Sequence, residues 1–461
     1  MNRKSLTIGL ILNCVTALVA GPQTRATFAV GAGGDAVTFW NANAGMAAIE
    51  ACIAPVDDPL HESRIYAMMH IAIHDALNAI DRRSQPYTFD MYEPGASPDA
   101  AVAASARDVL VPLIRQLPLD LVSPSCIAAG VASVETAYAA ALAAIPDHHA
   151  KARGIAVGHA AAAAVLTLRA ADGAVGPFLN FNCPRDTNPG EYQCTPGTPF
   201  IVFEAWENVT PFVLNHSSQF RPRPPYRVNT KKYTADFNEV KSLGGDDINT
   251  PSARTADQTE IALFWWENSP LKWNRIARAV SVQTGLDLWE NARLFGLLNL
   301  ALADGYIAMV DTKNHYNYWR PVTAIQTADT DGNPETAGDP FWTPLRPTPP
   351  DQDYASGHAI EGGAAAEVLK EFFGTDQISF EDCGVTLPAG RTCSDPSPVL
   401  RSYTSFSQAA AENAYSRIFI GFHFRKSVEE GTDYGRKIGN RAANLYLRPV
   451  RGGRGCGREK T

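Results

Sequence analysis

Wherever this chain of 461 residues is regular, its apolar positions recur every three or four residues, and strand-like alternation is scarce. That is the helical period, so the chain is predicted to be all-α. The stretches "ESRIYAMMHIAIHDALNAID" and "AKARGIAVGHAAAAAVLTLRA" carry the period in an alanine-rich first part. A segment holding Pro196, Pro199, Pro211, Pro222, Pro224 and Pro225 interrupts it and reads as an irregular connection over the surface. The period returns in "RTADQTEIALFWWEN", "LDLWENARLFGLLNLALADGYIAMVDTKNHYNYW", "SGHAIEGGAAAEVLKEFFG" and "SFSQAAAENAYSRIFIGFHFRKSVEEGTDYGRKIGNRAANLYL". Helices of this kind bury their apolar stripes by packing into bundles.

Hydrophobic residues make up 45% of the chain and charged residues 19%, which is the composition of a globular protein. The net charge is −8, and the only basic cluster is the terminal "RPVRGGRGCGREK", so no nucleic-acid partner is expected. The N-terminus "MNRKSLTIGLILNCVTALVAG" places two cations before a short apolar run and small residues. It reads as an export signal cut near Ala20, leaving no stable membrane span and a periplasmic or secreted protein. Outside that leader, Cys183 with Cys194 and Cys383 with Cys393 each bracket a Pro/Gly-containing loop. Such spacing in an exported chain favours local disulfides. Cys52 and Cys126 are available to each other, and Cys456 is left over in the tail.

Three stretches carry chemistry. In "KNHYNYWRP", Lys313 and Arg320 stand seven residues apart, which on one helix puts both on nearly one face. Two such cations need an anion between them or full solvation, and Pro321 is expected to end their helix. In "DYASGHAIEGG", Ser356 is a good N-cap, with Gly357 and His358 in the first turn, where free N–H groups attract anions. In "SRIFIGFHFRKS", Arg417 and His423 flank an apolar run predicted to be a buried helix, and Ser427 follows His423 at i+4. A buried arginine calls for an anionic partner. Together these residues supply cations, a helix N-terminus and two histidines, an inventory that suits a tetrahedral oxyanion becoming five-coordinate.

The order lysine, six residues, Arg-Pro; then Ser-Gly-His; then Ser-Arg, five residues, His resembles the signature of the type 2 phosphatidic-acid phosphatase and vanadium haloperoxidase superfamily. The stretches "AMMHIAIHDALNAID", "NARLFGLLNLALADGYIA", "YNYWRPVTAIQ" and "SFSQAAAENAYSRIFIGFHF" are similar to its exported bacterial haloperoxidase branch, and the likeness runs over residues 35–447. The resemblance implies two helical bundles, the second carrying a vanadate or phosphate site. It divides the chain into a leader (1–20), an N-terminal helical domain (35–195), the Pro-rich connection (196–230), the site-bearing domain (231–447) and a flexible basic tail (448–461). By position, Lys313, Arg320 and Arg417 would bind vanadate oxygens, with hydrogen bonds from Ser356 and the Gly357 amide. His358 would be the acid–base group and His423 the axial vanadium ligand. Hydrogen peroxide and halide would be the substrates and hypohalous acid the product.

Phosphate fits the same cradle, so the motif leaves open an exported acid phosphatase that cleaves phosphate esters through a phosphohistidine. A non-catalytic oxyanion-binding protein is a third reading, and the sequence leaves open whether the protein forms a homo-oligomer. Three positions depart from the family. Ala355 replaces a usual proline. Ser427 replaces the usual aspartate four residues after the axial histidine, which weakens the orientation of that ring unless Glu429 or Glu430 substitutes. Asp351 stands where relatives have an aromatic residue or histidine. A carboxylate there is expected to tune halide choice, disfavouring chloride against bromide or iodide.

Two other signals carry less. His70 and His74 with Asp75 have zinc-like spacing but no evident third ligand. Asp329, Asp331, Asn333 and Glu335 lack the glycine and closing glutamate of a calcium loop. There is no nucleophile-elbow or P-loop motif.

Overall fold

Local sequence explains where the first helices begin. Asp58, Ser97 and Ser123 each accept a backbone N–H as N-caps, and each is followed by a proline that needs no N–H there. In the computed structural model, which describes residues 34–450 apart from 185 and 186, these caps open α2 (Pro59–Ile80), α3 (Pro98–Arg115) and α4 (Pro124–Ala144). Together with α1 (Ala36–Glu50) and α5 (His149–Leu168) they form the first bundle. The leader, Cys14, Cys456 and the tail from 451 onward lie outside the described residues. Residues 448–450 pair with Arg83–Gln85, so ordered chain runs three residues past the expected end of the second domain.

The second bundle contains α6 (Lys231–Leu243), α7 (Ala256–Phe264), α8 (Ser269–Thr284), α9 (Leu288–Tyr316), α10 (Pro321–Thr327), α11 (Gly357–Phe373), α12 (Phe406–Phe419) and α13 (Arg425–Leu445). Among the described residues the only strands form two short antiparallel pairs, Leu179–Asn180 with Ile201–Val202 and Phe380–Cys383 with Leu400–Tyr403. The all-α expectation holds. Helix α9 is the spine: it packs on α2 of the first bundle and on α11 and α13 of the second, inside one continuous apolar core.

The Pro-rich connection is more than a surface wrap. Asp304, fully buried on α9, accepts the backbone N–H groups of Phe212, Val213 and Leu214 at 2.6, 2.8 and 2.7 Å. Asp311, two turns on, pairs with Arg221 at 2.7 Å. The connection thus supplies partners for carboxylates that would otherwise be buried alone. All three expected disulfides form: Cys52–Cys126, Cys183–Cys194 and Cys383–Cys393.

Helices α11 and α13 touch backbone to backbone, because glycines on α13 face α11. A Cβ at Gly435 would overlap the carbonyl of Ile360. This contact sets the distance between the start of α11 and the start of α13, where Ser356 and Ser427 lie. Gly435→Ala is therefore expected to destabilise the fold by about 1–3 kcal/mol. Denaturant unfolding measures this, and an unchanged midpoint would mean the helices separate at no cost.

Candidate active site

Helix α9 ends one turn earlier than the spacing of Lys313 and Arg320 suggested. Asn317 takes the left-handed conformation (φ 47°, ψ 44°) and closes the helix after Tyr316. Arg320 is the N-cap of α10 and Pro321 its first residue, so the proline starts a helix instead of ending one. The two cations therefore meet from two helices across a turn. A similar break separates α12 from α13: Gly421 has φ +87°, and His423 lies in the loop, with Arg417 in the last turn of α12.

The structure brings every predicted cradle residue to one place. Lys313, Arg320 and Arg417 are only 3%, 1% and 2% exposed. Lys313 Nζ donates to Asp351 Oδ2 and to the Gln352 carbonyl, both at 2.6 Å. Arg320 donates to the Asp351 carbonyl at 2.7 Å, to the Asp351 carboxylate and to the Phe422 carbonyl at 3.0 Å. The anion required between the two cations is thus the protein's own Asp351, a pairing the sequence reading did not foresee.

Burial and Arg320 push the Lys313 ammonium down to about 8 despite Asp351. Burial opposes ionisation of Asp351, but Lys313 and Arg320 hold its carboxyl below the ordinary range. Burial, then Arg320, pushes Arg417 down to about 9.

Arg417 lacks such a partner. Nη1 donates to the Trp265 carbonyl at 3.2 Å, while Nε is buried with no partner among the described residues. Ser356 is the N-cap of α11 as predicted, yet its Oγ does not cap and is also buried and unpartnered. Its N–H donates to the Ser427 carbonyl at 3.2 Å, which ties the start of α11 to α13. His358 lies in the first turn of α11, and its Nε2 is 3.1 Å from the Glu267 carbonyl. A carbonyl only accepts, so Nε2 carries the hydrogen and Nδ1 keeps its lone pair. The turn offering the Trp265 and Glu267 carbonyls is held by a buried ion cluster in which Glu267 and Asp382 share Lys272 and Arg275.

His423 is fixed from both sides. Nδ1 lies 2.9 Å from Asp353 Oδ1 and Nε2 lies 3.0 Å from Arg320 Nη1. A guanidinium has no lone pair, so Nε2 accepts and Nδ1–H donates to the carboxylate. Burial and then Arg320, Lys313 and Arg417 hold His423 well below the ordinary histidine range. Burial and Arg417 do the same to His358. Both rings are neutral at neutral pH.

The orienting carboxylate is thus neither residue expected to replace the missing aspartate. Glu429 and Glu430 pair with Arg425 and Lys426. Asp353, fully buried in the loop before α11, does the orienting, and Ser427 Oγ braces that loop by donating to the Asp353 carbonyl at 3.0 Å. Ser427 itself is 3.4 Å from the ring nitrogen. The signal was present in "DQDYASGH", five residues before His358, but sequence alone does not show that this loop faces His423.

The arrangement fits an oxyanion such as vanadate. Ser356 Oγ and Arg417 Nε are buried donors without a partner among the described residues, and they stand with three cations and two neutral imidazoles. Among the described residues no three His, Cys, Asp or Glu side chains gather as a conventional metal centre. His70 instead contacts Asn41 at 2.8 Å, and His74 contacts Asp75 at 2.9 Å and Ser84 at 2.7 Å, as packed core histidines. Asp331 accepts from Asn333 N–H and from Thr336 within its own loop.

Residues 293–452 match the family described as VCPO second helical-bundle domain. Vanadium chloroperoxidase of Curvularia inaequalis is 25% identical over 82% of this chain and 76% of its own length. The crystal structure of the first bacterial vanadium-dependent iodoperoxidase superposes with a TM-score of 0.72 at 23% identity, covering 90% of this chain and 97% of that one. A holo-type bacterial vanadium-dependent chloroperoxidase gives 0.67 at 17% identity, covering 90% and 96%.

Asp353→Asn is expected to weaken orthovanadate binding about 10–100-fold, as for removal of a carboxylate behind a ligating histidine. Ser427→Ala should change it much less. Titration followed by tryptophan fluorescence measures both, and the opposite ranking would return the orienting role to Ser427.

Proposed function

We propose, for a chain that belongs to the vanadium haloperoxidase family, that it oxidises bromide or iodide in preference to chloride, using hydrogen peroxide and bound vanadate. The observation carrying this reading is the pair of buried donors without a partner among the described residues, Ser356 Oγ and Arg417 Nε, together with His423 Nε2, whose lone pair is held only by Arg320, itself a cation of the cradle. Lys313, Arg320 and Arg417 would bind the oxygens of vanadate, Ser356 and the Gly357 N–H would add hydrogen bonds, and His423 would ligate the metal. Vanadate, when bound, supplies a Lewis-acidic centre that polarises hydrogen peroxide toward halide.

The chain's own groups handle the proton. His358 is neutral, with Nε2–H fixed on the Glu267 carbonyl, so Nδ1 takes the proton that hydrogen peroxide gives up on entry. It then returns that proton, and one further proton taken up from solvent completes the balance, in which halide, hydrogen peroxide and one proton give hypohalous acid and water. Asp353 keeps the His423 hydrogen on Nδ1, away from the ligating nitrogen.

Asp351 supports the halide preference. Its side chain is 16% exposed against 3% and 1% for the Lys313 and Arg320 side chains it pairs with, so a halide drawn toward those cations would meet a carboxylate. Chloride is the most firmly hydrated of the three and the hardest to oxidise, so it suffers most. The three disulfides support an exported protein, since such bonds persist in oxidising compartments.

Purified protein with and without orthovanadate, assayed for peroxide-dependent oxidation of each halide, tests the reading. Vanadate-dependent turnover of bromide and iodide is expected, with kcat/KM for chloride at least about tenfold lower. Loss of activity is expected in His423→Ala, and a drop of about 10²–10⁴-fold in His358→Ala. Hydrolysis of a phosphate monoester by the vanadate-free protein, without halide oxidation, would replace the peroxidase with a phosphatase.

A further inference from the structure

The sign and position of Asp351 bear on the cradle itself as well as on halide. The carboxylate bridges Lys313 Nζ, at 2.6 Å, and the Arg320 guanidinium. The segment that carries it is anchored on three sides: Arg320 donates to the Asp351 carbonyl, Lys313 to the Gln352 carbonyl, and Asp353 N–H to the Tyr318 carbonyl at 2.9 Å. Asp351 is thus a built part of the cradle. Just outside lies an open groove of about 440 Å³, lined by Glu204, Glu207, Asn208, Asn314, Asn317 and Gln352, which adds acidic and amide groups and no cation.

We propose that Asp351 sets the charge of the oxyanion this cradle accepts, admitting monoanions and rejecting dianions. The inference rests on reading the cradle as an oxyanion site. Three buried cations alone would favour the most highly charged tetrahedral anion. A resident carboxylate removes one of those charges and repels each negative charge on the ligand. In a pocket of effective dielectric about 20, a fixed charge about 5 Å away weakens binding on the order of a hundredfold for each ligand charge. Orthovanadate near neutral pH is chiefly a monoanion, whereas sulfate is a dianion of the same shape. The Asp351 carboxylate therefore separates vanadate from the anions most able to block its site. It does so by charge, which size and shape cannot do.

Calorimetric titration of the purified full chain with orthovanadate and with sulfate tests this without any assay of turnover. Ligation by His423 favours vanadate in every variant, so the informative quantity is how the sulfate-to-vanadate affinity ratio changes. Asp351→Asn is expected to raise that ratio on the order of a hundredfold, and Asp351→Glu, which keeps the charge, to leave it near wild type. If Asp351→Asn folds poorly because two buried cations lose their partner, sulfate should stabilise it and raise its Tm while leaving the wild-type Tm unchanged. Asp351→Ser provides a second uncharged variant.

Equal gains for the two anions would show that Asp351 is merely displaced by any ligand, and would overturn the proposal. An unchanged ratio would overturn it too. Vanadate binding that still needs His423 would then leave the haloperoxidase reading standing. Absence of oxyanion binding in the wild type and in every variant would overturn both.

Discussion

Three cations are buried within one small volume, and much of the site follows from neutralising them. Lys313, Arg320 and Arg417 come from the end of α9, the start of α10 and the end of α12, and none reaches solvent to any useful extent. Burying one unpaired charge is costly, and burying three of one sign adds their mutual repulsion. The fold compensates unequally. Asp351 neutralises Lys313 and Arg320, whereas Arg417 has one carbonyl and the face of Phe422, 5.0 Å from its guanidinium carbon. The remaining demand for negative charge is therefore concentrated beside Arg417 and Ser356, which is where a ligand stabilises the protein most.

Burial, and after it the same positive field, holds both histidines neutral. Burial, near-complete for His423 and partial for His358, and then the neighbouring cations suppress protonation, so each ring keeps one lone pair. Which nitrogen keeps it is decided locally. Arg320 can only donate, so it selects Nε2 of His423 as the acceptor. The Glu267 carbonyl can only accept, so it leaves Nδ1 of His358 free. The two neutral imidazoles are thereby left in different tautomers, which suits the ligand role proposed for one and the base role proposed for the other.

Much of this was legible in the sequence, and what escaped has a common cause. Helical periodicity revealed the bundles, and the three motif stretches lie near one another as the resemblance implied, although Lys313 and Arg320 come from two helices and His423 from a loop, not from the helix faces their spacing suggested. Periodicity fails at short interruptions. Asn317 and Gly421 each stop a helix with a positive φ inside what reads as a continuous pattern, so Pro321 looked like a terminator and His423 like a helical residue. The second blind spot is partnership across long sequence separation. Asp353 and His423 are 70 residues apart and Arg320 and Asp351 are 31 apart, and no local pattern links them. Asp351 was noticed only as an oddity beside a presumed halide path. That it occupies the cradle depends on how a loop is folded, which composition and spacing do not encode.

Asp351 and Asp353 stand two residues apart in one extended loop, yet one faces the cations and the other faces the imidazole. The reason is that the loop is held by backbone groups as well as by its carboxylates: Arg320 and Lys313 grip successive carbonyls, Tyr318 takes the Asp353 N–H, and Ser427 braces the Asp353 carbonyl. A carboxylate on the first turn of α13 could orient His423 independently of the anion pocket. Carried on this loop instead, the orienting group moves with the group that counts ligand charge. Displacement of Asp351 by an incoming anion would pull on Asp353, the residue that holds the His423 hydrogen on Nδ1. If Asp351 counts ligand charge as proposed, replacing the helix-borne aspartate usual in the superfamily this chain resembles would couple ligand charge to histidine orientation, which a helix-borne carboxylate would keep apart.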